Sequence, residues 1–268
     1  MIFGVEAPAF AVAFGISLFA GLSTGLGGLI VALKRHPGER FLAAALGFSA
    51  GVMIYISLME LLPSGLDELA GAGLGGSEVW GTVAFFAGIA LIAVIDRVVP
   101  EDINPHEIAA ESGSPASIAR MRKVGLMTAL AIAIHNFPEG FATFFVALAD
   151  PQVAVPIAVA IAIHNIPEGV AVAVPIREAT GSKSKAAWWA TISGLAEPLG
   201  ALVGFALLQP FIGPVALGVA FAAIAGIMVF VSVDKLLPTA IQTGRHHAAV
   251  YGLVGGMAIM ALSLLLLQ

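Results

Sequence analysis

The sequence predicts an all-α integral membrane protein whose eight transmembrane helices form a 3+2+3 bundle, the outer triplets related as an inverted repeat. Three observations carry this expectation. Apolar residues fill 59% of the 268 positions and charged residues only 11%, far from the balance of a soluble domain. The apolar residues gather into blocks of about 20, the length that crosses a hydrocarbon layer as a helix. A long pattern near one end of the chain is rewritten near the other. Period-2 alternation, the mark of a transmembrane barrel strand, is missing, while Gly and Ala recur at spacings that let helices approach closely.

The eight predicted spans lie near 9–33, 41–62, 79–99, 124–148, 152–176, 186–208, 213–236 and 248–267. No basic residue precedes Lys34, so the first block reads as a retained helix rather than a cleaved leader. Between the third and fourth spans, residues from about 100 to 123 form the one substantial hydrophilic connection, expected as a cytoplasmic loop. All of 1–268 is expected to be a single transmembrane domain. Trp80, Trp188 and Trp189 fall at span starts and suit interfacial anchoring. Cysteine is absent, which excludes disulfides and thiolate metal sites.

Orientation follows from the basic residues. Lys34, Arg35 and Arg40 follow the first span; Arg97, Arg120, Arg122 and Lys123 the third; Arg177, Lys183 and Lys185 the fifth; Lys235 and Arg245 the seventh. All 12 therefore fall on one side, which the positive-inside rule makes cytoplasmic. Both termini are then expected on the extracytoplasmic side of the cell membrane. The opposite side carries Glu6, Asp67, Glu68, Glu78 and Asp150, which either gather cations or only keep short loops soluble.

The repeat pairs Gly51-Val-Met-Ile-Tyr-Ile-Ser-Leu-Met-Glu-Leu-Leu-Pro63 in the second span with Gly226-Ile-Met-Val-Phe-Val-Ser-Val-Asp-Lys-Leu-Leu-Pro238 in the seventh. These two spans run in opposite directions, as inverted repeats of secondary transporters do. A purely structural duplication is the competing reading.

The fourth and fifth spans each carry His-Asn-x-Pro-Glu-Gly, as His135 to Gly140 and as His164 to Gly169. Ionisable groups at this depth cost roughly 2.5–3.5 kcal/mol each, and they persist where they pair, bind or move something. Residues three and four apart share a helical face, so Glu139 lies beside His135 and Asn136, and Glu168 beside His164 and Asn165. Facing sets would supply imidazoles, carboxylates and amide oxygens, a mixed shell suited to Zn²⁺, Fe²⁺, Mn²⁺ or Co²⁺. Pro138 and Pro167 remove backbone donors, which frees the Ile134 and Ile163 carbonyls and should bend both helices. Glu197, in Ser193-Gly-Leu-Ala-Glu-Pro-Leu-Gly200, has no basic residue expected at its depth and needs a cation partner. The competing readings are interhelical hydrogen bonding alone and a proton relay; Asn136 and Asn165 argue against the relay as sole function, because amides ligate cations but carry no protons. No His-Glu-x-x-His and no Gly-x-Ser-x-Gly occurs, so the chain is not expected to be an enzyme.

On these motifs, together with the Ser-Leu-Met-Glu-Leu-Leu-Pro and Ser-Val-Asp-Lys-Leu-Leu-Pro ends, the chain resembles the ZIP family of divalent metal transporters over its full length, nearest the bacterial members. The resemblance implies a binuclear site at the middle of the pathway. One metal would be held by His135, Glu139, His164 and Glu168. The other would be held by Asn136, Asn165 and Glu197, with Glu139 and Glu168 bridging. Met53 and Glu60 match positions on the outer approach and Asp234 an inner exit position. Lys235 departs from the family pattern and would repel an emerging metal unless it pairs with Asp234 or turns to the headgroups. His106, beside Glu107, is a candidate transient ligand in the cytoplasmic loop. The resulting expectation is import of divalent metal, chiefly zinc, with iron, manganese, cobalt and cadmium as further candidates, by alternating access. A non-transporting membrane metal sensor or scaffold is the alternative. The expected partners are the divalent metal, as transported substrate rather than prosthetic group, and the lipid bilayer; no nucleic acid is expected, and a homodimer is left open.

Overall fold

A computed structural model describes residues 6–34, 38–98, 115–149, 151–208 and 213–267, and among these no strand occurs. The helices in order are α1 (Ala7–Leu33), α2 (Glu39–Ile56), α3 (Leu62–Gly71), α4 (Ser77–Val98), α5 (Pro115–Ala149), α6 (Pro151–Thr180), α7 (Lys183–Gly194), α8 (Ala196–Leu208), α9 (Pro214–Val231), α10 (Leu237–Gln242) and α11 (His246–Leu267). Six helical stretches among the described residues are long and apolar enough to cross a membrane: Ala7–Leu33, Glu39–Gly71, Ser77–Arg97, Lys183–Leu207, Pro214–Gln242 and His246–Leu266. These stretches mark a multi-pass membrane protein whose regular structure, among the described residues, is entirely helical. The polar motifs lie on α5 and α6, which are 35 and 30 residues long.

The repeated pattern folds the same way twice. After Ile56 the helix widens into one π turn, Ser57–Leu61, and after Val231 into another, Ser232–Leu236. Pro63 and Pro238 stand just beyond each turn; proline lacks the amide hydrogen and crowds the carbonyl one turn back, and the extra residue of a π turn relieves that crowding. Ser57 Oγ donates to the Met53 carbonyl at 2.6 Å and Ser232 Oγ to the Met228 carbonyl at 2.7 Å. The second and seventh spans consequently run on to Gly71 and Gln242, beyond the hydrophobic boundaries at 62 and 236.

Two further differences from the sequence expectation have local causes. α5 starts at Pro115, so residues 115–123 of the expected loop are helical. Proline at a first helical position followed by Ala, Ile, Arg, Met and Lys favours a helix that hydropathy cannot register, because it projects beyond the apolar block. The sixth span is broken: α7 ends at Gly194 and α8 begins at Ala196. Pro198 has no amide hydrogen for the Gly194 carbonyl, so the helix restarts, and Glu197 falls in the first turn of α8. Conversely, α5 and α6 run as continuous helices through Pro138 and Pro167.

Packing divides the helices into two groups. α1, α5, α6, α7 and α8 pack together; α2 packs on α11, and α4 with α3 on α9; α2 against α6 and α5 against α9 join the groups. Glycine sets the closest approaches. A Cβ at Gly169 would collide with the Thr24 carbonyl and one at Gly27 with the Ile166 carbonyl, fixing α1 on α6. A Cβ at Gly140 would collide with the Glu197 carbonyl and one at Gly200 with the Phe137 carbonyl, fixing α5 on α8. Gly47 and Gly51 meet Ala249 and Leu253 of α11, while Gly88 and Gly226 seat α4 on α9.

At one end of the bundle, the Arg177 guanidinium donates to the carbonyls of Val31 and Lys34, closing the last turn of α1. Gly181, at φ 65°, turns the chain from α6 into α7.

Candidate metal site

The two motifs and the start of α8 meet in the interior. Asn136, His164, Asn165, Glu168 and Glu197 are 0% exposed and Glu139 2%. Asn165 Nδ2 donates to the Ala20 carbonyl at 2.9 Å and to Glu197 Oε2 at 2.8 Å. Both amide hydrogens are thereby used, which aims Oδ1 the other way, where it has no hydrogen-bond partner among the described residues. Glu139 Oε1 lies 2.9 Å from His164 Nε2. Both amide atoms of Asn136, and Glu197 Oε1, also lack hydrogen-bond partners among the described residues.

The carboxylates of Glu139 and Glu168 lie within Coulombic reach of Glu197. Gathering three carboxylates away from water is costly unless a cation joins them. Glu197 lies in the first turn of α8, where the helix dipole favours a carboxylate. Buried oxygens without hydrogen-bond partners (Asn136 Oδ1, Asn165 Oδ1 and Glu197 Oε1) complete a donor set suited to a divalent transition metal. Among the described residues, no three His, Asp or Glu side chains converge in the geometry of a closed metal centre. The side chains are instead held in pairs, Glu139 with His164 and Glu197 with Asn165.

α2 borders this region. Ser49 Oγ donates to the His164 carbonyl at 3.4 Å and lies 4.0 Å from the sulfur of Met53. That places fully buried Met53 one turn from the motif of α6. Glu60 stands seven residues further along, in the first π turn, about 10 Å away at helical rise. Asp234 occupies the second π turn and is partly exposed.

Lys235 does not stand free beside Asp234. Its ammonium lies 2.7 and 2.9 Å from the two oxygens of Asp96 on α4 and 3.3 Å from Asp234. Asp96 was not singled out in the sequence because it sits at the end of a strongly apolar span, 139 positions from its partner. Two candidates fall outside the described residues: His106 altogether, and His135 in its side chain, although its backbone belongs to α5.

The fold and this cluster describe a helical membrane protein with polar and acidic side chains gathered in its interior. The ZIP Zinc transporter family model matches residues 101–264. The chain is 64% identical to the zinc transporter ZupT of Corynebacterium efficiens over 258 residues, covering 95% of this chain and 96% of that one. It is 63% identical to the ZupT of Corynebacterium glutamicum, covering 95% and 98%. Identity to the ZupT of Streptococcus mutans is 53%, covering 95% and 97%. The chain belongs to the ZIP family, whose members are transporters and not enzymes.

Proposed function

We propose that this protein imports Zn²⁺ and related divalent metals into the cytoplasm through a midplane site built from His135, Asn136, Glu139, His164, Asn165, Glu168 and Glu197. The observation that carries the reading is the meeting of both duplicated motifs with Glu197 in the buried interior, beside oxygens that have no hydrogen-bond partner among the described residues. High identity to zinc transporters over nearly the whole chain supports zinc as the cargo.

The same residues suit two adjacent metals, with Glu139 and Glu168 shared between them. When a metal enters, His164 Nε2 exchanges its contact with Glu139 for the ion, and the neutral ring keeps its proton on Nδ1. Shared carboxylates and amide oxygens hold a cation less tightly than a closed structural zinc shell, which suits release. Met53 and Glu60 mark the outer approach and Asp234 the inner exit. Lys235, neutralised by Asp96 and Asp234, leaves that exit with net negative charge.

Eight membrane crossings in a 3+2+3 arrangement accommodate α2 with α3, α7 with α8, and α9 with α10 as single crossings. The inverted relation draws support from the matched π turns and from the reciprocal glycine contacts. The group holding the site, α1 with α5 to α8, is the natural moving unit against α2–α4 and α9–α11.

The test is ⁶⁵Zn²⁺ uptake into proteoliposomes containing the purified protein, beside a Glu139→Ala/Glu168→Ala double variant. Flux in the first and its loss in the second is expected. Binding without flux in the unaltered protein would instead mean a sensor or scaffold, and retained flux in the double variant would remove the site from the pathway.

A further inference from the structure

The glycine contacts that fix α5 on α8 and α1 on α6 are one arrangement used twice. Phe137 and Ile166 hold the same place in the duplicated motif, as do Gly140 and Gly169. Their partners correspond in turn: Gly200 and Glu197 on α8 answer to Gly27 and Thr24 on α1. The spacing extends one step further, since Gly21 and Gly194 meet each other across α1 and α7, each three residues before Thr24 or Glu197. Thr24 therefore occupies, in the α1 half, the position that Glu197 holds in the α8 half.

The hydroxyl behaves accordingly. Buried Ser17, Ser57, Thr143 and Ser232 each donate to the carbonyl four residues back, and Ser193 to the one three back, the usual refuge of a helical hydroxyl in an apolar medium. Thr24, 0% exposed, does not take it, and its Oγ1 has no hydrogen-bond partner among the described residues. A Cβ at Gly194 would stand 2.8 Å from that oxygen, so the hydroxyl lies beside the helix break that presents Glu197. Asn165 bonds Glu197; its counterpart Asn136 has both amide atoms without hydrogen-bond partners, as Thr24 does.

We infer that Thr24 Oγ1 and Asn136 Oδ1 form a neutral oxygen pair for the transported cation, the uncharged counterpart of Glu197 with Asn165. The site then has one anionic and one neutral flank, and the neutral flank lets the metal leave. This inference rests on the proposed metal site.

The experiment is equilibrium dialysis of ⁶⁵Zn²⁺ against the full chain in detergent, with thermal melting of the metal-free protein alongside. Thr24→Val, which keeps shape and removes the hydroxyl, is expected to weaken binding about tenfold. Thr24→Ser should bind as the parent does. The metal-free melting temperature of Thr24→Val should hold or rise, because a buried hydroxyl without a partner is a cost that a methyl removes. Thr24→Ala, which adds no bulk, repeats the binding test should the valine variant fold poorly. Parent-like affinity in both Val and Ala variants, with Glu197→Ala impaired, overturns this inference alone; parent-like affinity in Glu197→Ala overturns the site itself. A lowered metal-free melting temperature in Thr24→Val with unchanged affinity would make the hydroxyl structural and also defeat the inference.

Discussion

Lys235 illustrates how a single charge changes meaning with its neighbours. Beside an exit for cations an isolated ammonium is a barrier, but two oxygens of Asp96 and one of Asp234 surround it. One positive and two negative charges leave the cluster attractive to cations, as the proposed exit requires. Because the lysine side chain is 43% exposed, the pairing adds at most about 0.2–1 kcal/mol to stability, so its effect should be electrostatic rather than structural. Asp96→Asn is accordingly expected to slow ⁶⁵Zn²⁺ uptake severalfold at low ionic strength with little change in melting temperature. Since charges separated by more than about 8 Å are screened at physiological salt, the deficit should shrink as salt is raised. A deficit of equal size at all salt concentrations would point to a packing role for Asp96. Asn165 makes the complementary point: two acceptors consume its hydrogens, and that alone decides which way its oxygen faces.

Among the helices, glycine determines how closely the site's walls approach. Gly27→Ala and Gly200→Ala each drive a methyl into a backbone carbonyl, which cannot swing away as a side-chain end can. Each is expected to cost about 1–3 kcal/mol, read as a fall in melting temperature in detergent. Gly255→Ala on α11 meets nothing within 4 Å and should be neutral or stabilise by about 0.5–1 kcal/mol. Equal effects at all three positions would show that helix propensity, not contact, governs the response. Much at this scale was legible in the sequence, because apolar length reveals a span and a duplicated polar motif marks the two helices whose polar residues meet in the interior. What escaped was set by geometry that hydropathy does not encode: the π turns before Pro63 and Pro238, the break that Pro198 imposes ahead of Glu197, and the polar start of α5. The correspondence of Gly21-x-x-Thr24-x-x-Gly27 with Gly194-x-x-Glu197-x-x-Gly200 was present in the sequence but hidden, since a threonine standing where its counterpart has a glutamate gives no alignment signal. Shared packing exposes it.

For the molecule as a whole, charge distribution sets orientation, and orientation decides which end of the proposed pathway meets the cytoplasm. Contacts at one end gather basic residues from separate helices: Arg177 reaches the end of α1, Arg245 lies 3.5 Å from Glu39, and Lys34 sits over the Phe41 ring at 3.7 Å. Translocating such an end is opposed, so it should remain cytoplasmic while the acidic turns holding Asp67, Glu68 and Glu78 face outward. The chain contains no cysteine, so single cysteines report orientation against a silent background. Gly75→Cys, in the exposed turn between α3 and α4, is expected to react with a membrane-impermeant maleimide in intact cells. Ser184→Cys, exposed at the start of α7, should react only after the membrane is opened. The reverse pattern would invert the protein and put the approach marked by Met53 and Glu60 on the cytoplasmic side, against the proposed import route. Labelling of both sites in intact cells would mean that the turns lie on one side, and would break the alternation of crossings on which the inverted repeat depends.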